Sequence, residues 1–134
     1  MNIEQVQTEI DKTDYWDMKI LNVQADFFGD ELTIYIEKDD KTSFKVSFNT
    51  CYKVNYETDA GWDDNWRGSV KVKDMSFAQL GYFAQDITVS ESENEDFIKV
   101  ECNFSIMNMS IVCKNIDVEE IQNKDLSFFW EKEK

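Results

Sequence analysis

The sequence predicts a mainly β protein: an antiparallel sandwich or open barrel of about seven to eight strands with one or two short helices. Three observations carry this reading. Apolar and polar residues alternate along most of the chain, the period-two signature of half-buried strands. Ten Phe, five Tyr and four Trp make 14% of the residues aromatic, which suits strands better than helices. The 134 residues include no proline, so turns are left to Gly, Asn, Asp and Ser.

Ile3, Val6 and Ile10 recur at helical spacing, so residues 1–14 predict a short helix or an arm. Tyr15-Trp16 opens a first strand, with Leu21, Val23, Ala25 and Phe27 on one face. Gly29-Asp30 is the expected hairpin turn. A central meander follows in three runs: Leu32, Ile34, Ile36; then Phe44, Val46, Phe48; then Tyr52, Val54, Tyr56. Polar breaks at Lys38-Asp39-Asp40-Lys41 and Asn49-Thr50 separate the runs.

Residues 57–68 form an irregular loop, and Val70 with Val72 suggest a short strand. Met75, Ala78 and Leu80 could line a short helix ended by Gly81. Ile87 and Val89 restore the strand pattern before an acidic turn at residues 90–96. Ile98, Val100, Cys102, Phe104 and Ile106 share one face, with the next turn at Met107-Asn108. Met109, Ile111 and Cys113 then keep one parity, while Ile116 and Val118 take the other. A β-bulge near Lys114-Asn115 reconciles the two. Leu126, Phe128, Phe129 and Trp130 predict an edge strand, and residues 131–134 a frayed tail. No internal repeat or Gly/Ser/Pro linker divides the chain, so residues 1–134 are read as a single domain.

Composition excludes several functions. Lys and Arg total 14 against 28 Asp and Glu, a net charge of −14, and Arg67 is the sole arginine. Direct nucleic-acid binding needs cations facing phosphate, and an anionic membrane surface would repel this chain. A basic protein partner would be attracted. The absence of histidine removes the commonest general base and transition-metal ligand. The reading is therefore a binding protein, not an enzyme, with no cofactor implied.

Cys51, Cys102 and Cys113 are an odd count without a CxxC pair, which argues against a disulfide framework or a zinc site. Each is expected to be a buried small hydrophobe. A Cys102–Cys113 cross-strand bridge is conceivable. The N-terminal segment is polar and acidic, unlike a signal peptide, and no apolar run approaches membrane-span length. The expected compartment is the cytoplasm.

The candidate contact residues are Asp59, Trp62, Asp63, Asp64, Trp66 and Arg67. Tryptophan and arginine dominate interface hot spots, and flanking acids suit a basic partner. Glu57, Asp59, Asp63 and Asp64 do not match a calcium-loop spacing, so no metal is assigned. Tyr35, Tyr52, Tyr56 and Trp62 offer an alternative as sugar-stacking rings of a carbohydrate or small-ligand module. A second alternative is an acidic inhibitor that mimics nucleic acid.

Three strand segments carry a family resemblance: Tyr15 to Val23 (YWDMKILNV), LTIYI from Leu32, and IVCKNIDVE from Ile111. Trp16, Asp17, Ile20, Leu21 and Val23 fit an aromatic-Asp-x-x-Ile-Leu-x-Val opening. Cys113, Ile116 and Val118 fit a closing hairpin strand. Together they resemble small immunity proteins of bacterial polymorphic-toxin systems. Trp16 stands where those proteins often carry a histidine. The resemblance implies a cytoplasmic protein that binds and neutralises a cognate toxin domain, and it assigns no contact residue.

Overall fold

Two three-stranded meanders build the protein and meet along their longest strands. The computed structural model describes residues 2–58 and 70–131. The elements are α1 (Ile3–Asp11), β1 (Ile20–Asp26), β2 (Glu31–Glu37), β3 (Thr42–Thr58), β4 (Asp86–Glu91), β5 (Ile98–Asn103) and β6 (Met107–Gln122). They form one antiparallel sheet in the order β1-β2-β3-β6-β5-β4.

The sheet closes at one end. Lys19 bridges Phe83; Ile20 N–H donates to Tyr82 O (2.7 Å) and Ala84 N–H to Met18 O (2.8 Å). Gln85 N–H then donates to Asn103 O (2.8 Å), carrying the ladder on to β5. These bonds curl the open sheet back on itself, consistent with the expected sandwich or open barrel. The mainly β fold agrees with the sequence, with six strands among the described residues.

The lower strand number has identifiable causes. Asn49-Thr50 does not break the meander. Thr50 takes a left-handed backbone (φ 57), the register with β6 shifts between Cys51 and Lys53, and β3 runs on to Thr58. The expected bulge near Lys114-Asn115 therefore exists at that level of the sheet, but its extra residue sits on the facing strand. Buried residues of β6 switch parity there, from Cys113 to Ile116. Val72–Asp74 and Phe77–Gln79 are single 3₁₀ turns rather than a strand and a helix.

The Leu126–Trp130 segment is not an edge strand either. Its aromatic side chains act as lids: Trp130 Nε1–H donates to Leu21 O (2.9 Å), and Phe128 stacks on Trp130 (4.9 Å) and meets Tyr35 edge-on (5.4 Å). Tyr15-Trp16 lies in a turn between left-handed Asp14 and Asp17, not in a strand. The last hairpin turns at Phe104–Ile106, with Ser105 at φ 70, just ahead of the expected Met107-Asn108.

The core lies inside the curl. Ile34, Ile36, Val46, Phe48, Val100, Ile111 and Cys113 project into it, and Val6 and Ile10 of α1 cover it. Asn2 caps α1 by accepting from Gln5 N–H (3.2 Å). Truncating Phe48 or Phe104, both buried, costs about 3–5 kcal/mol by the usual scale for core aromatics.

Side chains also blunt the edge of β4. Gln7 Nε2 donates to Ile87 O (2.8 Å), and Gln7 Oε1 accepts from Val89 N–H (2.7 Å). Tyr15 Oη accepts from Ile87 N–H (2.9 Å). These bonds occupy backbone groups that would otherwise template another strand.

Candidate functional site

The outer face of β1, β2, β3 and β6 is polar, and the register arranges it in rows. Asp26, Glu31, Asn49 and Asn115 form one cross-strand row. Gln24, Thr33, Ser47 and Asp117 form the next, and Asn22, Tyr35, Lys45 and Glu119 a third. The short Thr33 and Ser47 side chains leave a depression of about 430 Å³ at the centre. Four carboxylates, Asp26, Glu31, Asp117 and Glu119, surround it against one cation, Lys45. Asn49 Nδ2 donates to Asp117 (3.3 Å), and Gln24 Nε2 donates to Asp26 (3.2 Å), which orders two of the acids.

An aromatic tip adjoins the first row. Phe27 and Phe28 cross from β1 to β2 with positive φ (54° and 59°), and Gly29 follows at φ 94. Phe27 is 71% exposed and Phe28 fully exposed. A left-handed backbone costs a residue with a side chain roughly 1–2 kcal/mol. No burial of the rings offsets that cost. Strain spent on displaying two phenylalanines points to a role outside the fold.

Cys51 N–H donates to Asp30 O (2.9 Å), which holds the tip above the bulge of β3. Between them lies a second, shallow depression of about 370 Å³ whose rim includes Phe27, Phe28, Tyr52 and Lys53. Tyr52 and Tyr56 are exposed, and Tyr52 leans on Phe97 (5.7 Å). The aromatic set thus runs from the hairpin tip along the C-terminal half of β3.

Asp59, Trp62, Asp63, Asp64, Trp66 and Arg67 lie outside the described residues. Of the rings considered for sugar stacking, Tyr35 is half-buried against Phe128, Tyr52 and Tyr56 are exposed, and Trp62 lies outside the described residues. Sequence reasoning placed Phe27 on the apolar face of β1. The structure turns it outward. The available signal was two phenylalanines immediately before Gly29-Asp30, at the turn itself.

Among the described residues, no three metal-ligating side chains gather into a site, and no helix is long and apolar enough to cross a membrane. Lys19 is a buried cation whose Nζ donates to Phe77 O (2.6 Å) and lies over the Phe77 ring (4.1 Å). Burial pulls its pKa down, with Glu37 opposing. Its position at the isolated bridge to Phe83 makes it structural. Burial pushes the Cys102 thiol up to about 12. Cys113 is also pushed up, first by the neighbouring Cys51 thiol and then by burial, and the Cys113 thiol in turn draws Cys51 down.

The chain matches the family model described as immunity protein PIM7 over residues 2–120. The chain belongs to this family. Its members are immunity proteins, which in general act by binding a toxin. No curated protein matches the chain. A crystal structure of an uncharacterized protein from Neisseria gonorrhoeae is similar in fold, with a TM-score of 0.53 at 12% identity. The similarity covers 78% of this chain and 92% of that one. The match spans β1 to β5 and nearly all of β6, which ends at Gln122, so both the acidic rows and the aromatic tip fall within the family region.

Proposed function

We propose that this immunity protein neutralises a basic toxin domain by presenting it the acidic face of β1-β2-β3-β6, with Phe27 and Phe28 as anchors. The observation that carries the reading is the strained, exposed Phe27-Phe28 tip beside a row that begins Asp26, Glu31. Carboxylates around the central depression speed encounter with a positive surface, and buried aromatic anchors slow dissociation. A toxin that holds nucleic acid needs a basic cleft, and such a cleft complements this face. The protein acts by occlusion and performs no chemistry. The cytoplasm is the compartment in which that protection is needed.

The test is co-expression with the C-terminal domain encoded by the large open reading frame immediately upstream in the source genome. Rescue of growth and a complex that survives purification are expected. In that complex, Asp117→Asn with Glu119→Gln lowers the association rate and its salt sensitivity. Unchanged kinetics in both this pair and a Phe27→Ala/Phe28→Ala variant moves the contact elsewhere, with Trp62 and Trp66 next to be substituted. Toxicity without rescue removes that pairing.

A further inference from the structure

Cys51 and Cys113 face each other directly across the β3–β6 ladder. Cys113 meets Ile98 on its other side, and Cys102 pairs with Met109, so the conceivable Cys102–Cys113 partnership is replaced by this one. The amide of Cys51 points away from β6, toward Asp30 O (2.9 Å). That places Cys51–Cys113 at a non-hydrogen-bonded site, where facing Cα atoms stand roughly 4.5 Å apart and side chains come closest. This separation falls within the range a disulfide spans. Each thiol donates to a nearby backbone carbonyl, Cys51 Sγ to Phe48 O (3.4 Å) and Cys113 Sγ to Asn115 O (3.7 Å).

The two sulfurs differ in access. Cys113 is fully buried, while Cys51 is partly exposed in the depression between the hairpin tip and Tyr52. Cys51 also sits at the register shift, beside left-handed Thr50, where the ladder is already distorted. A bridge there needs little new backbone movement. Cys102 is buried on β5 with no cysteine opposite it.

We propose that Cys51 and Cys113 are a reactive thiol pair that closes to a disulfide on exposure to a low-molecular-weight disulfide. The Cys51 thiolate attacks one sulfur of oxidised glutathione, forming a mixed disulfide and releasing one glutathione thiolate. Cys113 gives up its proton to that leaving thiolate and attacks Cys51 Sγ, expelling the second glutathione. Two protein thiols are oxidised and one glutathione disulfide is reduced to two thiols. The lowered thiol pKa of Cys51 favours it as the first nucleophile.

The experiment treats the folded full-length chain with oxidised glutathione, quenches with acid, and maps the peptides by mass spectrometry without reduction. The expected product links the Cys51 and Cys113 peptides, leaves Cys102 as a free thiol, has a higher Tm, and reverts with a reducing thiol. Cys113→Ser should stop at a mixed disulfide on Cys51. Cys51→Ser should take up no glutathione while native by circular dichroism. Three fully reduced thiols, a mixed disulfide in the wild-type chain that never closes, or a bridge to Cys102 would each overturn the proposal. An unmodified Cys113→Ser variant that remains folded would overturn the assigned order of attack.

Discussion

The two turns that flank β2 use opposite chemistry. The turn into β3 satisfies itself. Asp39 accepts from Lys41 N–H (2.9 Å), Thr42 N–H (2.8 Å) and Thr42 Oγ1 (2.8 Å). Lys38 pairs with Glu120 (2.8 Å), and Asn123 Nδ2 donates to Asp40 O (3.1 Å). Ser43 Oγ also donates to Asn123 Oδ1. The turn out of β1 has left-handed phenylalanines, exposed rings and a bond from Cys51 N–H to Asp30 O. One turn is built to hold the strands in register. The other holds rings in solvent at a cost to the fold. Residues that stabilise nothing where they stand are the better guide to binding.

That contrast can be broken in four places. The largest effect belongs to Phe27→Ala/Phe28→Ala, which should speed toxin dissociation by roughly 100-fold, the scale of lost hot-spot anchors, while the urea midpoint holds. Surface plasmon resonance and urea titration read both. A matching fall in stability would make the tip structural and erase the contrast.

Asp39→Ala should do the reverse, lowering Tm by several degrees without changing toxin kinetics. Its pH dependence follows from sign. Hydrogen bonds from Thr42 and Lys41 hold the Asp39 carboxyl below its ordinary 3.8. Its contribution is thus complete above that value and is lost as pH falls through the lower, folded one. Acid titration of Asp39→Asn should show a shallower loss of stability than the wild type.

Phe28→Asn should raise stability by about 1 kcal/mol, because Asn tolerates the left-handed region that Phe does not. Differential scanning calorimetry measures it, and a loss would mean that the ring packs in solution. The smallest effect belongs to Lys38→Gln. Its ion pair with Glu120 is exposed at both ends, so Tm should stay within error.

Much of the fold was legible because alternation reports burial. Leu32, Ile34 and Ile36, and Ile98, Val100 and Cys102, project inward as their parity requires. Ile3, Val6 and Ile10 mark α1, and the parity slip after Cys113 marks a distortion. Composition does not show which facing strand takes the extra residue, because that depends on the left-handed Thr50. Nor does it tell aromatic lids from aromatic strands. Trp130 looks like strand sequence but works through one indole hydrogen bond to Leu21 O. The acidic rows were hidden for another reason. They join Asp26 to Asn115 and Gln24 to Asp117, residues far apart in sequence that only register brings together. A period-two pattern reveals faces, not neighbours.

The seam between the meanders has a consequence in time. β3 pairs with β6 from Thr42↔Gln122 to Thr58↔Met107, contacts that span much of the chain. Pairings of such high sequence separation slow folding, since long loops must close before they are rewarded. During synthesis, the β1-β2-β3 hairpins emerge first and wait with one side of β3 open, a hazard for sticking to other chains. Asp117 and Glu119 arrive on the last strand, completing the acidic face only as β6 docks. A nascent or truncated chain therefore holds the aromatic tip but only half of the charge pattern, so the proposed toxin-facing surface is complete only in the finished fold.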